Sequence, residues 1–243
     1  GGEPRVHADG IALSRDGRHL FWQALTGRTL HWIPTRFLRD VRLTDQELGP
    51  RVRTAARSGA ADGLLFASDG FIYIYYVDWG RPLFPGTDEI HVARSPISSD
   101  GAPGSWHKYF QGSFDESGID GNSDPVIRGP NSTAFWAGFP SVSFNISLNA
   151  YLAAFVSADG FYYSISFDRI NWTVGKKLLT RNETPSTGEP WLLYPSLLSP
   201  SQPTDGTTTE TGYLYYGHGI YNVECHHMVR RPVQVGWSSV AAN

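Results

Sequence analysis

A single cysteine, Cys225, stands among 243 residues. One thiol excludes a disulfide within the chain, so the fold has to rest on its core and its backbone ladders. Charge is scarce as well. Only 18% of residues are Asp, Glu, Lys or Arg, the net charge is −3, and no basic run is longer than Arg230-Arg231. That leaves a nucleic-acid partner without its electrostatic footprint. No apolar run approaches the ~18 residues that span a bilayer, so no membrane partner is expected. The chain opens on Gly1-Gly2-Glu3-Pro4, without the apolar stretch of a signal peptide.

What is present points to strands and turns. Eight Trp, 12 Tyr, 13 Phe, 26 Gly and 16 Pro are chemistry for an all-β chain rather than for amphipathic helices. The run ADGIALSRDGRHLFW (Ala8 to Trp22) returns 53 residues later as ADGLLFASDGFIYIY (Ala61 to Tyr75). Each copy holds an inner Asp-Gly (Asp16-Gly17, Asp69-Gly70) between apolar runs, a strong hairpin signal. A hairpin unit recurring about every 50 residues has the size of a propeller blade. Short aromatic runs follow at Tyr73 to Val77, Phe135 to Phe144, Tyr151 to Val156, Phe161 to Ile165 and Tyr213 to Tyr216. The strand density fits a sandwich, a barrel or a propeller, and the repeat favours an all-β propeller. It should hold one short helix near 45–57, where Thr44 and Glu47 form a capping box and Gly49-Pro50 interrupts. Residues 199–211 read as a polar surface loop.

Two family resemblances are carried by these residues. HADGIALSRDGRHLFWQALTGRTLHWIPTRFLRD (His7 to Asp40) resembles the major royal jelly protein/yellow family, over about residues 5–72. That resemblance implies a secreted six-bladed propeller binding small ligands in or near its channel. From about Phe71 the chain resembles the five-bladed propellers of glycoside hydrolase families 43 and 32. The matching pieces are YYVDWG (Tyr75 to Gly80), IHVARS (Ile90 to Ser95), SDPVI (Ser123 to Ile127), FPSVSFN (Phe139 to Asn145), YYSISFDRINW (Tyr162 to Trp172), YPSLLS (Tyr194 to Ser199) and GYLYYGHG (Gly212 to Gly219). Ser166, Asp168 and Trp172 match a Ser-x-Asp-x-x-x-Trp hairpin of such enzymes, and Asp100-Gly101 with Trp106 is a looser copy. The expected domains are therefore 1–72 of one type and 73–243 of the other, or one continuous propeller across both. A fusion, a chimera or a fragment of a longer protein would each present this way.

A glycosidase needs two carboxyls across the scissile bond. Asp124 is the first candidate, because Asp-Pro beside an apolar strand resembles the base-bearing motif of these propellers; an Asx-turn before Pro125 is the alternative. Asp78 ends an aromatic strand and is either a channel acid or a strand-end turn residue. Glu189, in Gly188-Glu189-Pro190-Trp191, is either the acid, its pKa raised by neighbouring aromatics, or a solvated loop glutamate. For sugar stacking, Trp79, Trp106, Trp136 and Trp191 offer rings beside polar loops, as do Tyr109 and Trp172. Most of these belong to blade cores, with one or two left for a carbohydrate or other small ligand.

Cys225-His226-His227 puts three ligand types in sequence, but neighbours on a strand face opposite ways, so no metal and no cofactor is expected. Asp9 and Asp62, at matching places in the repeat, either face a channel cation or cap turns. No Gly-x-Ser-x-Gly elbow supports a serine triad. Half of the eight Asn begin a sequon: Asn131, Asn145, Asn171 and Asn182. N-glycans at exposed acceptors and an extracellular location are expected on that account.

Overall fold

The computed structural model describes residues 8–14, 17–24, 29–57, 63–66, 69–77, 89–99, 101–102, 104–130, 136–157, 159–180, 190–199, 206–220 and 227–237. Within them the chain forms four sheets, antiparallel except at one short strand. Sheet 1 holds β1 (Ala8–Leu13), β2 (His19–Ala24), β3 (Thr29–Pro34) and β4 (Arg53–Arg57). Sheet 2 runs β5 (Gly63–Phe66), β6 (Phe71–Val77), β7 (Ile90–Pro96), β8 (His107–Phe110) and β9 (Ser113–Ser117), with β10 (Pro125–Ile127) paired to β7. Sheet 3 steps outward through β11 (Gly138–Asn145), β12 (Ala150–Ser157), β13 (Gly160–Ser166) and β14 (Lys176–Thr180). Sheet 4 contains β15 (Pro190–Leu198), β17 (Thr211–Ile220) and β18 (His227–Gln234). Between β15 and β17 the chain lends β16 (Thr207–Thr208) to the inner edge of sheet 3.

Each sheet is entered at its inner strand, and the inner strands β1, β5, β11 and β15 touch in succession. This is the radial plan of a propeller. Among the described residues no ladder joins sheet 4 back to sheet 1. Residue 72 lies inside β6, so the two halves distinguished by sequence resemblance share sheet 2.

Why these segments are strands is visible in their alternation. Tyr73, Tyr75 and Val77 of β6 point into one core with Tyr151, Ala153 and Phe155 of β12. The intervening Ile72, Ile74 and Tyr76 point the other way, into a core shared with Phe21 and Leu30 of sheet 1. On β12 the second set, Leu152, Ala154 and Val156, meets Leu192, Leu214 and Tyr216 of sheet 4. A strand buried on both faces reads as an unbroken apolar run, which is what both segments are. The outer strand β18, with water on one side, alternates exposed and half-buried residues instead.

The repeated Asp-Gly turns occupy the same place in sheets 1 and 2, between first and second strand. Asp16 is outside the described residues, but Gly17 takes φ 67° and its N–H reaches the Ser14 carbonyl at 2.7 Å. Gly70 takes φ 89°, and the Asp69 carboxylate accepts the Phe71 N–H at 3.3 Å. Both positions need the left-handed region that glycine enters without strain. The expected helix is α2 (Asp45–Leu48), begun by Glu47, whose carboxylate accepts the Thr44 N–H and hydroxyl, each at 2.8 Å. Pro50 ends it in a 3-10 turn over Gly49–Arg51, and 53–57 is strand rather than helix. A single turn, α1 (Thr35–Leu38), precedes it, and no described helix is long and apolar enough to cross a membrane. Residues 199–211 are not purely a surface loop: Ser199 and Thr208 are buried, and β16 pairs in parallel with β11 at Phe144 and Asn145.

A tryptophan hook closes the outer hairpin of two sheets. In sheet 3 the Trp172 indole donates to the carbonyl of Arg169, which sits at φ 73°, at 2.9 Å. In sheet 2 the Trp106 indole donates to the carbonyl of Gly101, at φ 64°, also at 2.9 Å. Asp168 organises the first of these loops. Burial alone pushes its carboxyl up. The side-chain and main-chain N–H groups of Asn171, the Ile170 N–H and the Ser166 hydroxyl outweigh that, bringing it down to about 2. The loop presents Arg169 to sheet 2: its guanidinium pairs with Asp69 at 2.9 Å, donates to the Tyr151 hydroxyl at 3.2 Å and lies over the rings of Tyr73 and Tyr151. The Tyr75 hydroxyl donates to the Arg169 carbonyl at 3.1 Å.

The depressed Asp168 pKa sets a pH window. An acid whose folded pKa lies below its unfolded value of about 3.9 stabilises the fold above that value and ceases to do so as pH falls toward about 2. Asp168→Ala should cost about 0.5–2 kcal/mol at neutral pH, as loss of a capping carboxylate does. In denaturant titrations the gap between mutant and wild type should shrink from pH 4 to pH 2; a constant gap would contradict this role.

Candidate functional site

Of the carboxylates singled out for catalysis, Asp78 and Glu189 lie outside the described residues; one follows β6 in sequence and the other precedes β15. Asp124 does not sit by the inner strands. Its N–H donates to the Tyr109 carbonyl at 2.8 Å, and its carboxylate accepts the N–H of Gln111, a turn residue at φ 47°, at 2.7 Å. Asp124 thus fastens the β8–β9 hairpin, the outermost part of sheet 2. As an axial base it is expected beside the inner strands; its carboxylate is instead bonded within the outer hairpin of the sheet.

The aromatic candidates separate in the same way. Trp106 is 4% exposed and packed in the core between sheets 1 and 2, so no sugar can reach its face, which corrects its assignment as a ligand residue. Trp172 packs edge-on against Tyr75, and Tyr109 against Phe114. Trp79 and the side chain of Trp191 are outside the described residues. Trp136 alone of the four is both described and half-buried. It stands just before β11, with the Ser157 hydroxyl donating to its carbonyl at 2.6 Å.

Trp136 leads to a feature of the inner strands. Phe139 on β11 and Tyr194 on β15 have φ 51° and 54°, and each lies where its strand's register shifts against its neighbour. Both precede a proline, Pro140 and Pro195, which ordinarily drives the preceding residue to extended backbone. Such conformations cost on the order of 1–3 kcal/mol each and concentrate at ligand sites, where a bulge re-aims a side chain. The two bulges are copies of each other: aromatic, Pro and Ser recur 55 residues apart, with half-buried aromatic and serine around a buried proline. The re-aimed rings meet. Phe139 and Tyr194 pack edge to face at 5.0 Å, and Phe139 packs against Trp136 at 6.4 Å. Three half-buried rings therefore gather where the inner strands of sheets 3 and 4 adjoin. The sequence carries the signal for this as the repeated aromatic-Pro-Ser, whereas the unusual backbone is not readable from it.

Among the described residues no three His, Cys, Asp or Glu side chains gather as metal ligands, and His227 is exposed on β18, with Cys225 and His226 outside the described residues. Asp62 and the side chain of Asp9 are likewise outside them. Of the sequons, Asn171 is exposed and Asn131 and Asn182 are not described. Asn145 is 0% exposed, which corrects its reading as an acceptor in the folded chain. Its amide donates to the Thr208 hydroxyl at 3.1 Å and the Thr209 carbonyl at 3.0 Å, and accepts the Leu148 N–H at 2.9 Å.

No family model matches the chain, and no curated protein does. Solved structures do. A GH43_12 protein retrieved from capybara gut metagenome has a TM-score of 0.55 at 12% identity, covering 96% of this chain and 42% of its own. The fructofuranosidase from Schwanniomyces occidentalis complexed with fructose has a TM-score of 0.53 at 12% identity, covering 95% and 43%. The catalytic domain of the Coprinopsis cinerea GH62 alpha-L-arabinofuranosidase has a TM-score of 0.50 at 14% identity, covering 88% and 67%. The likeness is one of fold. The chain spans about two fifths of the length of the first two, and neither comparison shows the royal jelly/yellow family for residues 5–72.

The bulge geometry orders two substitutions. Phe139→Val should destabilise the protein more than Phe139→Ala, although valine retains more apolar surface, because a β-branched side chain is strained at positive φ. Urea unfolding of both variants measures the order, and the reverse order would contradict a left-handed Phe139.

Proposed function

We propose that the chain is a carbohydrate-binding propeller of glycoside hydrolase-like fold, taking a neutral sugar on Trp136, Phe139 and Tyr194. The observation that carries this reading is the pair of strained, duplicated aromatic bulges on adjacent inner strands. Sugars present apolar C–H faces to aromatic rings, and Ser141 and Ser196, each two residues after a bulged aromatic, bring hydroxyl groups to the same inner strands. Trp79 and Trp191 are further ring candidates. Hydrolysis is the finer version of the reading and is supported by the fold likeness. With Asp124 committed to the outer hairpin, it rests on Asp78 and Glu189 as the acid pair. The royal jelly/yellow resemblance supports instead a non-catalytic site for another small ligand.

Titration with arabino- and fructo-oligosaccharides, followed by tryptophan fluorescence, tests the reading. Trp136→Ala should weaken binding about two- to tenfold, the scale of one lost ring contact, and Trp136→Phe should restore most of it. No binding at millimolar sugar would end the carbohydrate reading. Release of product from a chromogenic furanoside, lost in Glu189→Gln, would make the protein an enzyme.

Secretion is part of the same proposal and rests on the sequons. Expressed through a eukaryotic secretory pathway, the folded protein should carry a glycan at Asn171 and none at Asn145, read by mass spectrometry after deglycosylation. An unmodified Asn171 would count against it.

A further inference from the structure

We propose that the seam between sheets 2 and 3, at the end where inner strands finish, is a second binding site, which takes the carboxylate of an acidic sugar on Arg94. The Asp69-Gly70 turn, the β11–β12 turn and the β13–β14 loop all lie at this end, because antiparallel stepping returns first-to-second and third-to-fourth connections to one side. The bulged aromatics of sheets 3 and 4 belong to a different inter-sheet space.

Two arginines lie against the rings of this seam, and their circumstances differ. Arg169 is neutralised: Asp69 pairs with it at 2.9 Å, and the Tyr151 hydroxyl accepts from it. The two carboxylates nearby are fully engaged. Asp69 also accepts the Tyr73 hydroxyl at 2.8 Å and the Phe71 N–H at 3.3 Å, and Asp168 is saturated by its own loop. Arg94 stands opposite Tyr73 on the paired strand, half-buried, with no carboxylate within ion-pair distance among the described residues.

What holds Arg94 is aromatic. Its guanidinium carbon lies 4.1 Å from the ring centroid of Phe71 and 4.1 Å from that of Phe114. Two rings this close confine the guanidinium, and the N–H groups along its edge are the donors it can offer. A half-buried cation is stabilised by a counter-charge, and the fork of a stacked arginine fits a carboxylate through two parallel hydrogen bonds. Around it, Tyr109, Phe114, Phe144 and Tyr151 make a wall of rings at centroid distances of 5.2 and 5.3 Å within each pair. A carboxylate carried on a sugar ring satisfies both halves of this surface.

Calorimetric titration with tri-galacturonic acid, its methyl ester and sodium acetate tests the proposal on the whole chain. The acid should bind, the neutral ester at least tenfold more weakly, and acetate more weakly still because it has no ring face to stack. Arg94→Gln should lower affinity for the acid at least tenfold. Arg94→Lys, which keeps the charge but not the fork, should lower it by several-fold and guards against a misfolded Gln variant. Trp136→Ala, at the other site, should leave acid binding unchanged, so this proposal and the neutral-sugar reading fail separately. Equal affinity for acid and ester, no binding of acid at millimolar concentration, or wild-type affinity in Arg94→Lys and Arg94→Gln would overturn the proposal. Acetate binding as tightly as the trisaccharide would overturn its sugar component.

Discussion

The whole structure depends on two strands, β6 and β12, that are buried on both faces. Because successive side chains alternate, each strand contributes to two cores at once. Tyr75 and Phe155 fill the space between sheets 2 and 3, while Ile74 and Ala154 fill the spaces on either side of it. Four sheets are thereby stacked through three shared cores, each of which belongs to two sheets. No sheet has an interior of its own. A radial array of this kind holds together by nearest-neighbour interfaces, as repeat proteins do.

Interfaces between sheets are also where the polar chemistry is found. Arg169 crosses from the outer loop of sheet 3 to the first turn of sheet 2, and the rings of Phe139 and Tyr194 meet across sheets 3 and 4. Turns and bulges are the only places where a strand can direct a side chain out of the two-face alternation. Both arrangements use a non-glycine residue at positive φ: Arg169 in a loop, Phe139 and Tyr194 in mid-strand. In the loop the conformation is supported by the bonds to Asp168. In the strands the cost is carried by the surrounding packing, including the edge-to-face contact of the two rings.

This division explains what was legible in the sequence. The aromatic runs, the Asp-Gly turns and the capping box of Thr44 and Glu47 are local signals, and they predict the strands, the hairpins and α2. The hidden strand at Thr207–Thr208 is not local, since its partner β11 lies some sixty residues earlier and its own composition is that of a loop. Asp124 shows a different failure. Asp-Pro beside an apolar run fits an inner-strand base and an outer-hairpin fastener equally well, and only the pairing of β10 with β7 separates them. Arg94 gave no signal at all, because its neighbours Phe71 and Phe114 come from strands apart in the chain.

The clasp of β16 on β11 has a consequence for the order in which the chain can mature. Asn145 completes its hydrogen bonds only with Thr208 and Thr209, 63 and 64 residues downstream. Until that segment has been synthesised, the Asn-Ile-Ser tripeptide is an open acceptor, whatever its final burial. In a glycosylating compartment, the transferase and the arriving strand would compete for the same amide nitrogen. A glycan added first would bar Thr207 and Thr208 from the edge of sheet 3, leaving that edge and the approach of sheet 4 unfinished. Chains would then divide at a single side chain into those that close and those that cannot.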